Sequence, residues 1–178
     1  MRLIFFSFFL AVNIISGQEI IWQEGQKLTW DNFKSPVNRR NNPDIAAYTH
    51  CGWEYSIVKS TNPDSPVQIE IRTIFNEDKS WKDFRKINDY ILLHEQKHFD
   101  IAELFVRKMR KIVAEKIKKS SDYNRLFTVI YKKISDEYKN FQTAYDRDTR
   151  HGMNKEKQAE YNVFIAEELD HLKSYKSL

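Results

Sequence analysis

"ILLHEQKHFDIAE", Ile91 to Glu103, places two imidazoles and a carboxylate directly behind three apolar residues. On a helix, residues four apart share a face, about 40° from each other around the axis, so His94 and His98 can present two ring nitrogens to one ion. Glu95 falls on the flank of that pair, in reach of a water held by the ion without being a ligand itself. This is the physical content of the HExxH pattern: two metal ligands and a general base within about one helical turn. The expected ion is Zn2+, which lowers the pKa of a water to about 7 and lets Glu95 take its proton during attack on a peptide carbonyl. Lys97 departs from the stricter metalloprotease pattern, which prefers uncharged residues there. Its stem is expected along the helix with the ammonium outward. The competing reading is a surface histidine pair beside an ordinary glutamate.

The surroundings of the motif are helical. Between about residues 87 and 119 there is no Gly or Pro, and Ile101, Ala102, Phe105, Met109, Ile112 and Val113 recur at helical spacing. Ser120, Ser121 and Asp122 are expected to cap a second helix, whose stripe runs Phe127, Ile130, Ile134, Tyr138, Phe141, Tyr145 and which ends near Gly152. A third helix is expected from about Lys155 to Tyr175, with Phe164, Ile165, Leu169 and Leu172 inward. Ahead of the motif the chain leans to β-structure. Short extended pieces are expected at Ile20–Trp22 and Leu28–Thr29, a turn at "TWDNF", and a loop over Lys34–Asp44 with its two prolines. Tyr48–Val58 is strand-like, and Val67–Phe75 alternates at Val67, Ile69 and Ile71 as a half-buried strand does. The fold class is therefore α+β: a small antiparallel β-sheet packed on a bundle of three long helices.

A catalytic zinc needs a third protein ligand and one open position. If the two long helices form a hairpin turning near Ser121, the returning helix comes level with His94 and His98 at "AYDRDTRHG", Ala144 to Gly152. His151 is the favoured ligand, because Gly152 lets the helix end there and the imidazole turn inward. On an unbroken helix His151 would point away, and Asp148 would be the better ligand; Asp146 is the other carboxylate of the segment. Glu103 and Asp100 lie on the far side of a straight helix from His94. Tyr145 is a candidate donor to the developing oxyanion, and equally a core aromatic continuing its stripe. His50 beside Cys51 has no metal-ligand spacing, and His171 is expected to be exposed. Trp22, Trp30, Trp53 and Trp81 are read as packing anchors.

The ends and the composition bound the setting. Met1-Arg2 followed by "LIFFSFFLAVNII" and Ser16-Gly17 matches a secretory signal peptide over residues 1–17, shorter than the ~20 apolar residues of a spanning helix. Residues 18–178 are read as one zinc-peptidase-like domain. The single cysteine, Cys51, forms no internal disulfide, so the exported chain rests on its core and a metal. The net charge of +4 is modest, and the basic run Val106–Lys119 is a solvated helix face, without the interleaved aromatics of a nucleic-acid surface.

On the blocks "LTWDNFKSP", Ser80-Trp81, "LLHEQKHFDIAELFVRKMR" and "YDRDTRHGMNKEKQAEY", the chain resembles a bacterial family of unknown-function domains described as predicted secreted zinc-dependent proteases. His94, Glu95, His98, Tyr145, Asp146, Thr149, His151, Gly152 and Gln158 fall on the family's pattern, and Asp148 stands where Glu is more usual. The resemblance implies a zinc site supported by Asp100 and Glu103 through bonds to its ligands. The expected function is a secreted or periplasmic zinc metallopeptidase acting on a peptide or protein substrate, touching the membrane only through the signal peptide. A zinc-stabilised binding module of the cell envelope is the alternative. Oligomeric state is left open.

Overall fold

The computed structural model describes residues 18–39 and 43–177. The segment expected to be a signal peptide, 1–17, lies outside the described residues. Five strands precede three helices: β1 (Glu19–Ile21), β2 (Ala47–Tyr48), β3 (Cys51–Val58), β4 (Gln68–Asn76), β5 (Trp81–Lys82), α1 (Asp89–Lys116), α2 (Ser120–Thr149) and α3 (Lys155–His171). The main sheet is antiparallel in the order β1-β4-β3, and β2 and β5 form a separate antiparallel pair. The expected α+β class, with a small antiparallel sheet against three helices and the motif inside the first of them, is what the chain adopts.

Alternation decides which side of the sheet meets the helices. Ile71, Thr73 and Phe75 of β4 are buried, and the register pairs them with Tyr55, Trp53 and Cys51 of β3, so these residues share one face. The strand expected over 48–58 is broken at Thr49 and His50: β2 ends at Tyr48, and β3 begins at Cys51. The break sends the Thr49 hydroxyl onto α1 and the His50 amide to the Ser80 hydroxyl.

α1 starts at Asn88, whose side chain accepts from the Ile91 amide. It lies across the sheet with α2 antiparallel beside it after a connection of three residues, 117–119. Ile101, Phe105, Met109 and Val113 of α1 meet Phe127, Ile130 and Ile134 of α2 and Ile165 of α3 in the main core. Truncating Phe105 or Met109 to alanine removes about 2–5 kcal/mol at such positions. A smaller core joins Trp22, Leu28, Phe33, Phe75 and Phe99. Ser120 is already helical; Asp122 caps the start of α2 by accepting from the Lys118 and Lys119 amides. α3 ends at His171, a turn of 3-10 helix follows, and Phe164, expected inward, is 42% exposed.

Charge enters this core in a paired form. Glu103 is fully buried and accepts from the Thr73 hydroxyl (2.6 Å), Arg107 Nε (2.9 Å) and Arg110 Nη1 (3.0 Å). The two guanidiniums also donate to the carbonyls of Leu169, Ile71 and Tyr175. Asp100 accepts from Trp22 Nε1, Gln96 Nε2 and Lys97 Nζ. Asp100 and Glu103 thus tie α1 to the sheet and to the N-terminal segment, not to the histidines. Lys97 does not point outward: its side chain is 13% exposed and turned to Asp100.

Candidate metal centre

Helix geometry puts His94 and His98 on the face of α1 that meets the end of α2, and the cluster of ligand-type side chains there is His94, His98 and Asp146. The two Nε2 atoms are 3.2 Å apart, and Asp146 Oδ1 lies 3.2 Å from that of His94 and 3.0 Å from that of His98. A tetrahedral ion with ligand bonds of 2.0–2.1 Å needs donor separations of about 3.3 Å. The triangle fits such an ion.

The tautomers make the fit chemical as well as geometric. Gln142 Nε2 donates to the His98 carbonyl (3.0 Å), which leaves its Oε1 to accept from His98 Nδ1–H at 2.6 Å. Gln158 Nε2 donates to the Tyr145 hydroxyl (2.7 Å) and to Asn162 Oδ1 (2.9 Å), leaving its Oε1 for His94 Nδ1–H at 2.9 Å. With both Nδ1 atoms protonated, each neutral ring turns an Nε2 lone pair toward the same point as the Asp146 carboxylate. Three acceptors converge with no donor between them, and only a cation or a proton resolves that. Burial opposes a charge on His98, yet the hydrogen bond to Asp146 and its negative charge win, pushing His98 up to about 9. Burial likewise opposes the Asp146 carboxylate, and the bond from His151 and the proton taken up by the histidine pair hold it well below the usual carboxylate range. A divalent ion replaces the proton in such a site.

Glu95 is buried beside the pair and lines the same cleft, of about 430 Å³, with Tyr48, His50, Lys139 and His151. Its Oε2 accepts from the Thr49 hydroxyl at 2.7 Å, which fixes the carboxylate at the cleft wall. Thr49 was not legible as a functional residue in the sequence; its only signal is its place in the break between two strands.

The end of α2 decides the third donor. Asp146 lies three residues before the end of α2 at Thr149 and faces α1, so it needs no special backbone to reach the pair. Arg150 (φ 51°), His151 (φ 53°) and Gly152 (φ 83°) then run left-handed in succession, a conformation that costs a non-glycine residue about 1 kcal/mol or more. The turn does bring the imidazole of His151 back, as expected, but only to the outer side of the carboxylate: Nδ1 is 3.4 Å from Asp146 Oδ1, and the side chain is 51% exposed. His151, the third ligand that the sequence reading favours, stands outside the converging triplet, and Asp146 takes that place. Asp148 is turned away, accepting from Arg147 Nε and the Tyr161 hydroxyl. Gly152 is required twice over, by its φ and by contact: a Cβ there would lie 3.0 Å from His94 Cβ.

Tyr145, the candidate oxyanion donor, belongs to the core. It is fully buried, its ring stacks on that of His94 at 4.7 Å, and its hydroxyl donates to the His94 carbonyl (3.2 Å) while accepting from Gln158. It shapes the His94 ring and does not line the cleft. Cys51 offers no nucleophile: burial pushes its thiol up to about 12, and Sγ–H donates to the His98 carbonyl at 3.3 Å. His171 is exposed on α3, as expected.

His94, Glu95, His98 and Asp146 together form the arrangement of a zinc-peptidase active site, with Glu95 placed as general base. No helix among the described residues is long and apolar enough to cross a membrane. No curated protein and no solved structure matches the chain. A family model described as "Bacterial protein of unknown function (DUF922)" matches residues 28–152, a span that opens at Leu28, whose amide binds Gln96 of the motif helix, and closes on Gly152 against His94. The match covers more than half of the sequence and all four site residues, and the chain belongs to this bacterial DUF922 family.

Proposed function

We propose that the protein is an exported zinc metallopeptidase, with zinc held by His94, His98 and Asp146. The observation that carries the reading is the convergence of three lone-pair donors, 3.0–3.2 Å apart, beside a glutamate anchored by Thr49. When bound there, zinc supplies Lewis acidity to a water and to the substrate carbonyl. Glu95 takes the proton of the attacking water and returns it to the leaving amine. Thr49 holds the Glu95 carboxylate in the cleft, and Gln142 and Gln158 keep both rings in the tautomer that binds metal. With Tyr145 committed to the core, His151 at the cleft lip is the side chain placed to donate to the substrate. Residues 1–17 have the pattern of a signal peptide, which supports export to the periplasm or beyond.

Protein purified without an affinity tag should contain about one zinc per chain. Glu95→Gln should keep the metal and lose peptide cleavage. Full activity in that variant would reject the mechanism.

The 3.4 Å approach of His151 to Asp146 supports a second reading. If His151 swings in as a fourth ligand, the site is closed and structural, and the protein is a zinc-stabilised binding module. His151→Ala separates the two. It would weaken zinc binding strongly in a closed site and leave it nearly unchanged in an open one.

A further inference from the structure

A second cavity adjoins the metal cleft. It measures about 570 Å³, is lined by Gly52 and Trp53 of β3 and by α2 from Tyr131 to Lys139, and shares Tyr138 and Lys139 with the cleft. The two form one trough between the chain segment 45–53 and the face of α2 that ends at Asp146. Three features give the trough a chemical character. β3 is an edge strand: β4 pairs with one side, and among the described residues no strand pairs with the other. The Cys51 carbonyl already accepts from the Tyr138 hydroxyl (3.1 Å), and beyond Cys51 an extended chain can hydrogen-bond to such an edge. The floor is aromatic, with Trp53 packed edge-on against Tyr138 (5.1 Å) and Tyr131 (6.0 Å).

The third feature is charge. Lys132 Nζ is paired with Asp136 at 2.6 Å. Lys139 feels the same carboxylate from a distance, but among the described residues its ammonium makes no ion pair or hydrogen bond. It stands where the two cavities meet, as a cation with no carboxylate of its own.

We propose that this trough holds an extended stretch of substrate, and that Lys139 selects a carboxylate on it. The inference rests on the peptidase reading and adds where the chain lies and what it carries. Lys139 is seven residues before Asp146 on α2, about 10 Å along the axis. An extended chain rises about 3.3 Å per residue, so the carboxylate sits about three residues from the cleaved bond. It can be an Asp or Glu side chain or the chain's own terminus.

The test uses the full chain and pools of acetylated, C-terminally amidated decapeptides that carry either Glu or Gln at each position, with cleavage read by mass spectrometry. The wild type should prefer Glu over Gln at about three residues from the cut by roughly tenfold, the scale of one charge-assisted hydrogen bond. Lys139→Met should erase the preference and Lys139→Glu reverse it. If amidated pools show no preference but free-acid pools cleaved near their end do, the recognised group is the terminal carboxylate. A Glu:Gln ratio and a free-acid:amide ratio both unmoved by Lys139→Glu would overturn the proposal, even with cleavage intact. Binding of the same peptides to Glu95→Gln, by fluorescence anisotropy, separates the two readings. A Lys139-dependent preference in binding without any cleavage by the wild type would reject the peptidase and keep the trough.

Discussion

His94 Nε2 and His98 Nε2 lie 3.2 Å apart with Gln158 and Gln142 holding the opposite edges of their rings. Two lone pairs at that distance repel unless something positive lies between them. The glutamines are therefore as much a part of the candidate metal centre as the histidines. Gln142→Leu or Gln158→Leu frees a ring to rotate or change tautomer, and zinc affinity should fall about 10–100-fold in either variant. Competition with a chromogenic chelator measures it. Unchanged affinity in both would show that the rings need no such support.

Thr49 bonds Glu95 and touches no metal donor. Thr49→Val keeps the shape and removes the donor. The expected outcome is full zinc content with kcat lowered by about tenfold or more, because the loss acts on the general base. Metal analysis and steady-state kinetics on one preparation check both halves.

Gly152 packs its α-carbon against the His94 ring in a left-handed conformation. Gly152→Ala forces a side chain into that conformation and to within 3.0 Å of His94 Cβ. The variant should lose about 1–3 kcal/mol of stability and bind zinc more weakly, since the displaced residue is a proposed ligand. Thermal melts with and without zinc report the two effects separately.

Asp83 joins the turn before α1 to the preceding loop. Arg39 donates to it at 2.8 and 2.9 Å and Arg85 at 3.2 Å, and these bonds hold its carboxyl well below the usual carboxylate range. A depressed folded-state value means that the contribution to stability is present above the unfolded value, about 4, and is lost as pH falls below it. Asp83→Asn should melt below the wild type at pH 7, with the gap closing as pH drops under about 4. A gap that stays constant down to pH 3 would contradict the assignment.

Cys51 should resist iodoacetamide at pH 8 in the native protein and react once the chain is denatured. Its buried thiol, raised to about 12, carries almost no thiolate at that pH. Mass spectrometry gives the labelled fraction directly.

Local spacing alone determined the helix that carries His94, Glu95 and His98, the alternation of β4 and the α+β class, while the hairpin of α1 with α2 entered only as a condition that the packing met. The first three follow from periods of 3.6 or 2 that a chain cannot hide when one face must be buried. The choice among Asp146, Asp148 and His151 was beyond it. All three sit in one short segment, and their order toward α1 depends on where α2 unwinds and how closely Gly152 lets it approach His94. Tyr145 was ambiguous for a related reason: a buried phenol and an oxyanion donor occupy the same helical stripe, and only its bonds to Gln158 and the His94 carbonyl separate them. Thr49 and Lys139 carry no motif at all. Thr49 is picked out by its bond to Glu95, 46 residues away, and Lys139 by its place where two cavities meet, both created by packing and not encoded in sequence spacing.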